Sequence, residues 1–206
     1  SKGGLTLSEM MEAMDEGHLT NLYIIGENPV QSDADTAAVT RRLENLDHLV
    51  VQDIFLTETA SLADVVLPSA AAWCEGEGTF TNCERRVQRV RKALEPPGVA
   101  KDDIEIIRLV AERMGHAWPV QTAQQVWDEL RALSPAHHGM TYRLLEQRGG
   151  LQWPFPEEDS PESPFLHGRL WEKDPAKRGR PAPFGIIEHR LPVDKLDDEF
   201  PLRLTT

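Results

Sequence analysis

The chain has 206 residues, of which 40% are hydrophobic, and it carries a formal net charge of -12. This length allows one large domain or one domain with an extension, and the apolar content is enough for a core. The acidic balance argues against a nucleic-acid partner, because phosphate backbones are bound by clustered Lys and Arg. No apolar run is long enough for a membrane span and no signal peptide is evident, so we expect a cytoplasmic protein.

The first part of the chain alternates helices with short apolar runs, a pattern typical of parallel α/β sheets. Strand, helix and strand at this spacing form a βαβ unit, so we predict a doubly wound, Rossmann-like sheet flanked by helices. The predicted elements are, in chain order, a helix capped by Thr6 and Glu9, a strand at Leu22–Ile25, a helix capped by Asp33 or Asp35, a strand at Leu49–Val51, a helical turn at Thr57–Leu62 and a strand at Val65–Leu67.

The middle of the chain predicts one short strand and three helices. The strand is expected at Thr79–Asn82, just before a basic run at Glu84–Lys92. In an acidic chain this local basic run suits a ligand or subunit contact better than a nucleic-acid surface. The first helix begins after Asp102 or Asp103, and the second begins after Thr122. The third spans Tyr142–Arg148.

The amino-acid composition changes after Gln152, where many of the 15 prolines are concentrated. We therefore divide the chain into an α/β domain at residues 1–150 and an extended connection at residues 151–206, with one strand at Phe184–His189. The chain begins without methionine and ends in a predicted strand at Leu202–Thr206. Both ends are expected to be edges of a longer polypeptide.

Polar residues follow two of the predicted strands. Gly26–Pro29 comes directly after the first strand, and Asp53 comes after the second. In open α/β sheets such residues meet at the carboxyl edge, where nucleotide-like ligands bind and an acidic side chain takes a ribose hydroxyl or a base edge. A strand-ending turn without a ligand explains Gly26–Pro29 alone equally well. A Walker A ending is absent, and no Gly-x-Gly-x-x-Gly motif follows a strand.

No catalytic or metal-binding constellation is visible. Cys74 and Cys83 are too few for a disulfide framework and lack the paired spacing of zinc or iron-sulfur ligands, although a hairpin could bring them together. No base is placed to activate either thiol. The tryptophans are expected in a core or an interface, and they are Trp73, Trp118, Trp127, Trp153 and Trp171. The residues alone thus predict a cofactor-binding α/β domain without catalytic machinery.

Several ordered motifs resemble the molybdopterin oxidoreductases of the dimethyl sulfoxide reductase superfamily. Within it they are most similar to the catalytic alpha subunit of formate dehydrogenases. The resemblance covers nearly the whole chain. The motifs are Leu22–Pro29 (LYIIGENP), Val50–Ala60 (VVQDIFLTETA), Ala63–Pro68 (ADVVLP), Glu77–Gln88 (EGTFTNCERRVQ), Gln125–Leu130 (QVWDEL) and Leu151–Pro154 (LQWP).

The resemblance implies a bis-molybdopterin guanine dinucleotide cofactor, with molybdenum or tungsten, and a β-barrel domain after this segment. Gly26, Glu27, Asn28 and Pro29 would approach the pyrophosphate and ribose of one guanine dinucleotide. Gln52 and Asp53 would contact the guanosine, since a carboxylate suits the guanine N1 and N2 donors, with Thr57 and Thr59 hydrogen-bonding nearby. The ligands of the family's [4Fe-4S] cluster and of its metal lie upstream of this segment, so neither Cys74 nor Cys83 takes a catalytic role.

The function implied is that of an internal segment of an oxidoreductase that converts formate to carbon dioxide. The parent enzyme would pass electrons through the cofactor and the [4Fe-4S] cluster to an electron-transfer subunit or acceptor. This segment alone is expected to be inactive. Two alternatives stay open: a segment of a molybdoenzyme similar to assimilatory nitrate reductases, and a module without catalytic activity that binds a guanine nucleotide or a partner subunit.

Overall fold

A computed structural model describes residues 3–166, 174–177, 184–189 and 196–202. The chain forms two compact units, Ser1–Leu166 and His167–Thr206. In the second unit the described residues include a short 3-10 helix at Pro175–Lys177. Residues 184–189 have no regular secondary structure, so the strand predicted there is wrong. Its apolar side chains are almost fully exposed, and an isolated strand without a partner is not stable in water.

The first unit contains a parallel three-stranded sheet, which confirms the predicted α/β fold. Its strands are β1 (Asn21–Ile25), β2 (His48–Asp53) and β3 (Val65–Pro68), in the order β1-β2-β3. In the register, Ile24 lies beside Val51 and Val51 lies beside Val66. All three strands occur where the apolar runs predict them.

One face of this sheet is covered by four helices. They are α1 (Leu7–Asp15), α2 (Pro29–Ser32), α3 (Thr36–Glu44) and α4 (Glu58–Ser61). Thr6 and Glu9 form the predicted capping box of α1, and Asp35 caps α3. The buried core between sheet and helices consists of Ile24, Val39, Leu43, Leu49, Val51 and Ala60.

A second, antiparallel sheet follows, with β4 (Gly78–Thr81), β5 (Arg86–Val90) and β6 (Leu151–Gln152) in the order β4-β5-β6. The predicted strand at Thr79–Asn82 is confirmed as β4 with a shift of one residue. The basic run, for which no strand was expected, forms β5. Since β6 lies beyond residue 150 and pairs with β5, the first unit extends past the predicted domain boundary. The assignment of residues 151–206 as a connection to a β-barrel domain stays a prediction.

Three further helices complete the first unit. They are α5 (Asp103–Arg113), α6 (Ala123–Leu133) and α7 (Tyr142–Arg148), which begin as predicted after Asp102, Thr122 and Thr141. A second core cluster lies among α6, α7 and the antiparallel sheet and consists of Val87, Trp127, Met140, Tyr142, Leu144, Leu145, Leu151 and Phe155. Within the described residues, no helix combines the length and the apolar character that a membrane crossing requires.

The tryptophans divide between core and surface. Trp127 is buried, and Trp153 packs partly buried against the second cluster. Trp73 and Trp118 are exposed, so the core positions expected for them are wrong within this chain, and any interface role stays a prediction. Trp171 lies outside the described residues.

Candidate functional site

The carboxyl ends of the three parallel strands meet at one edge of the first sheet. The Gly26 N–H donates to the Gln52 carbonyl oxygen at 2.9 Å, and the Ser69 N–H donates to the Asp53 carbonyl oxygen at 3.0 Å. The two predicted groups, Gly26–Pro29 and Gln52 with Asp53, are therefore neighbours. Ligands of open α/β sheets bind at this edge.

The turn after β1 depends on Gly26, whose φ is +64°, a conformation that side chains with a Cβ rarely adopt. No protein atom lies within 4 Å of the position that a Cβ would take, so the space beside this residue is open. Within the described residues, the backbone N–H groups of Glu27 and Asn28 donate no hydrogen bond, and the exposed Glu27 carboxylate accepts none. The turn thus offers two free backbone donors and one free carboxylate.

Asn28 and Thr59 link the turn to the start of α4. The Asn28 Oδ1 accepts hydrogen bonds from the Thr59 hydroxyl at 2.7 Å and from the Thr59 N–H at 3.2 Å. The Asn28 amide donates to Glu58 at 2.9 Å and to Gln31 at 3.0 Å. The Thr59 hydroxyl, which is fully buried, also accepts from the Val30 N–H at 3.1 Å. Both side chains are engaged within the protein and act here as a brace between α2 and α4.

Gln52 is fully buried, although it was predicted to contact the ligand directly. Its Oε1 accepts a hydrogen bond from the Tyr23 hydroxyl, and its Nε2 donates to the Asp103 carboxylate at 2.5 Å. Burial, together with the charge of Asp103, raises the pKa of Tyr23, which keeps this hydroxyl a donor. The Gln52 side chain therefore joins β1, β2 and α5.

Asp53 keeps a free oxygen at the end of β2. Its Oδ1 accepts a hydrogen bond from the Phe55 N–H at 3.1 Å, and its other carboxylate oxygen accepts none from the described residues. Thr57, also predicted to contact the ligand, caps α4 through a hydrogen bond from the Ala60 N–H at 3.1 Å. Pro29 is the first residue of α2 and has no N–H to offer. Of these three residues, Asp53 alone has a side-chain acceptor without a partner.

The structure adds Asp103 to the edge, where it was expected only as a possible helix cap. Asp102 caps α5, accepting a hydrogen bond from the Ile104 N–H at 2.9 Å, which leaves Asp103 for Gln52. The Lys101 N–H donates to the Pro68 carbonyl oxygen at 3.2 Å, which brings the start of α5 to the end of β3. The sequence contains a signal for this role of Asp103. Two adjacent aspartates stand at the start of the helix, and one of them suffices as the cap.

Four carboxylates lie on the segments that meet at this edge, and they are Glu27, Asp53, Glu58 and Asp103. Lys101, at the end of β3, is paired with Glu105 at 2.9 Å. No Lys or Arg forms an ion pair with any of the four within the described residues. The hydrogen bond from Asn28 lowers the pKa of Glu58, which stabilises its charged form. The edge is therefore rich in acceptors and suits a ligand with several N–H or O–H donors.

The basic run lies on the other sheet, and its charged side chains find partners within the chain. Arg85 donates to the carbonyl oxygens of Trp153 and Ser163, and Arg89 lies 3.7 Å from the centroid of the Tyr142 ring. The ion pairs of the run are Arg86 with Glu162, Arg89 with Glu77, Arg91 with Glu146 and Lys92 with Glu95. Arg86 and Arg89 thus link β5 to other parts of the chain.

The first unit also contains cavities and two cysteines. A cleft of about 500 Å³ between α5 and α6 is lined by none of the predicted site residues. An open cavity of about 380 Å³ adjoins α2 and α3 and includes Glu58 in its wall. Cys74 and Cys83 are free thiols. Among the described residues, no group of three His, Cys, Asp or Glu side chains is arranged to hold a metal ion.

Comparison with known proteins gives concordant results. The family model for molybdopterin oxidoreductases matches residues 2–113. The chain is 44% identical over 205 residues to the F420-dependent formate dehydrogenase 2 subunit alpha of Methanococcus maripaludis, covering 98% of this chain and 29% of that protein. It is 40% identical over 203 residues to formate dehydrogenase H of Escherichia coli, covering 98% of this chain and 28% of that protein. The chain therefore spans less than a third of the length of these relatives.

A solved structure is also similar. The acetylene hydratase from Pelobacter acetylenicus superposes with a TM-score of 0.51 at 27% identity, over 59% of this chain and 18% of that one. The chain is thus also similar in structure to a protein whose name refers to acetylene and not to formate.

Proposed function

This chain belongs to the molybdopterin oxidoreductase family, and on that premise we propose that it is one segment of an enzyme that oxidises formate. The reaction converts formate to carbon dioxide, one proton and two electrons. Relatives at 40–44% identity over 98% of the chain are named formate dehydrogenases, which favours formate. The acetylene hydratase, at 27% identity over 59% of the chain, is less similar.

The role proposed for this segment is to bind the guanine end of a molybdopterin guanine dinucleotide at the carboxyl edge of the parallel sheet. The observation that carries the proposal is the free carboxylate oxygen of Asp53 beside the open turn at Gly26. A guanine base presents N1–H and N2–H₂ donors on one edge, and a carboxylate accepts both. Asp103, held by Gln52, supplies a second carboxylate at the same edge.

The donor and acceptor chemistry fits the nucleoside better than the pyrophosphate. Carboxylates suit the guanine donors and the ribose hydroxyls, whereas they repel phosphate. The free N–H groups of Glu27 and Asn28 are the described groups suited to a phosphate oxygen. We therefore propose that Asp53 and Asp103 bind the guanosine, that Gly26–Pro29 approaches the pyrophosphate through backbone groups, and that Gln52, Thr57 and Thr59 position this edge.

When bound, the cofactor's molybdenum or tungsten would supply the two-electron chemistry, and the protein would supply binding and orientation. A [4Fe-4S] cluster held outside this segment and an electron-transfer subunit or acceptor complete the proposed electron path. No residue of this chain is proposed to contact formate. Its contribution is to fix the distal end of the cofactor, and through it the position of the reacting end.

The experiment that tests the proposal uses the full-length protein that contains this chain. Its metal content, the nucleotide released from its cofactor by acid hydrolysis, and its oxidation of formate with an artificial electron acceptor would be measured, with nitrate reduction assayed in parallel. We expect molybdenum or tungsten, guanosine monophosphate, and electron transfer from formate. Nitrate reduction without formate oxidation would favour the nitrate reductase alternative. A protein that binds a guanine nucleotide but holds no metal would favour the binding module.

A further inference from the structure

The cleft between α5 and α6 has a volume of about 500 Å³ and mainly apolar walls. None of the residues proposed to bind the cofactor lines it. Its apolar side chains are Ile104, Ile107, Trp118, Val120, Ala123 and Val126. Clefts of this size and character are typical of binding sites. The cleft is therefore a candidate for a second binding site, which shares no residue with the first.

The connection from α5 to α6 exposes apolar side chains at this cleft. Residues 116–122 contain no Asp, Glu, Lys or Arg. In this connection Trp118 is 54% exposed and Val120 is 81% exposed, and Ile107 of α5, on the wall of the same cleft, is 37% exposed. Exposed apolar patches with a polar rim mark interaction sites, and Trp is among the residues that contribute most to binding energy.

The charges that line the cleft favour a cationic partner. Its carboxylates are Glu77, Asp102 and Glu105, and each accepts a hydrogen bond through one oxygen. The donors are, in the same order, Arg89, the Ile104 N–H and Lys101. The other oxygen of each carboxylate accepts no hydrogen bond from the described residues. Arg108 also lines the cleft, but its guanidinium donates to Glu112 at 3.1 Å. The cleft thus offers acceptors to a Lys or Arg and disfavours an acidic occupant.

We propose that this cleft binds a segment of the electron-transfer subunit in which apolar side chains are flanked by Lys or Arg. This inference rests on the proposed function, which includes such a subunit. The apolar side chains of the segment pack against Ile107 and Trp118, and its cation meets Glu77 and Glu105 beside the Trp118 ring, a favourable position for a positive charge. The net charge of -12 attracts a basic partner over a longer range.

The first test is photo-crosslinking in the complex of the full-length protein with its electron-transfer subunit. A photoreactive amino acid is placed at Val120 and, as the matched control, at Val99, a valine of nearly equal exposure at 80% that does not line the cleft. We expect position 120, but not position 99, to crosslink to a segment of the subunit that contains Lys or Arg. A crosslink from position 120 to the parent polypeptide, a crosslink to a second copy, or no crosslink would overturn the proposal.

A variant pair measures the apolar part of the contact. Val120→Glu places a further carboxylate at the cleft, and we expect the dissociation constant for the subunit to rise roughly tenfold or more. Val99→Glu is expected to leave the dissociation constant unchanged. Equal affinity of both variants and the unchanged protein would contradict docking at the cleft.

A second pair measures the contribution of charge. Glu105→Gln is expected to weaken binding severalfold at low ionic strength and little at high ionic strength, because salt screens exposed charges. Glu129→Gln, at an exposed position on α6 that does not line the cleft, is the control. Equal weakening by the two variants would indicate a general attraction to an acidic protein and would overturn the proposed contact.

Oxidation of formate with an artificial electron acceptor separates this inference from the proposed function. Val120→Glu is expected to keep that activity while losing affinity for the subunit. An unchanged protein that binds the subunit through Val120 but oxidises no formate would contradict the proposed function and support the docking site. Loss of the artificial-acceptor activity in Val120→Glu, with the affinity for the subunit kept, would contradict docking here.

Discussion

At the scale of single residues, His137 makes the stability of the first unit depend on pH. Its ring lies between those of Trp127 and Trp153, at centroid distances of 6.0 and 5.6 Å, and its Nδ1 is 2.7 Å from the Ser134 hydroxyl. Burial lowers the pKa of His137 below its ordinary value of 6.5, because the charged imidazolium is poorly solvated there. The folded state thus favours the neutral ring.

The sign of the pH dependence follows from this direction. The unfolded chain binds a proton at His137 before the folded chain does, so stability is full above pH 6.5 and falls as the pH decreases toward the folded pKa. Thermal unfolding across mildly alkaline to mildly acidic pH measures the slope. His137→Gln is expected to flatten it, and His116→Gln, at an exposed position without an ion pair to the described residues, is the control. Equal slopes in all three proteins would contradict the assignment.

A second residue prediction concerns the Asn28 brace. Asn28→Ala removes the acceptor for the buried Thr59 hydroxyl and N–H, and unsatisfied buried polar groups cost about 1–3 kcal/mol. Urea unfolding is expected to show a loss of that size. Asn45→Ala is the matched control and should change the free energy of unfolding little, because this exposed side chain forms no hydrogen bond with the described residues. A loss no larger than that of the control would show that the brace is not stabilising.

At the scale of elements, the connection from α7 to β6 depends on two glycines with different constraints. Gly149 ends α7 at φ +66° with open space around it. Gly150 has φ +111°, and a Cβ there would lie 2.8 Å from the Val87 carbonyl oxygen. Gly149→Ala is expected to cost about 1–2 kcal/mol through its backbone conformation alone. Gly150→Ala adds a steric clash with β5, so its melting temperature should be the lower of the two. The opposite order would contradict the packing of β5 against this connection.

The amino-acid sequence predicts the elements whose apolar spacing or caps are local. The capping box at Thr6, the helix start after Thr122 and the apolar strands of the parallel sheet are examples. It does not predict β5, because its arginines are partly buried while their charged ends pair with carboxylates and carbonyl oxygens from distant parts of the chain. A polar run of this kind has no apolar alternation to indicate a strand.

The position of the sheet edge could be predicted from the sequence, whereas the contacts of its side chains could be predicted only in part. The carboxyl edge and the place of Asp53 follow from strand order, which local patterns determine. The burial of Gln52 and Thr59 does not, since their partners Asp103 and Asn28 are far away in the sequence. Sequence patterns cannot show which polar side chains are already satisfied within the fold.

At the scale of the whole molecule, the first unit has two cores with different tasks. The cluster around Val51 supports the parallel sheet and its carboxyl edge, and the cluster around Phe155 holds the antiparallel sheet against α6 and α7. The segment that leads into α5 is joined to the end of the parallel sheet, since the Ala70 N–H donates to the Lys101 carbonyl oxygen at 2.8 Å. The proposed ligand edge therefore lies on the first core, and substitutions in the second core are expected to affect stability rather than cofactor specificity.

The central claim is that this segment holds the guanine end of the cofactor, and the direct measurement is cofactor content in Asp53→Asn full-length protein. Asp47→Asn is the matched control, because Asp47 lies just before the amino end of β2, whereas Asp53 is its last residue. We predict a severalfold loss of molybdenum or tungsten and of releasable guanosine monophosphate in Asp53→Asn, since an amide donor would face the guanine donors. Content equal to that of Asp47→Asn and of the unchanged protein would contradict the claim.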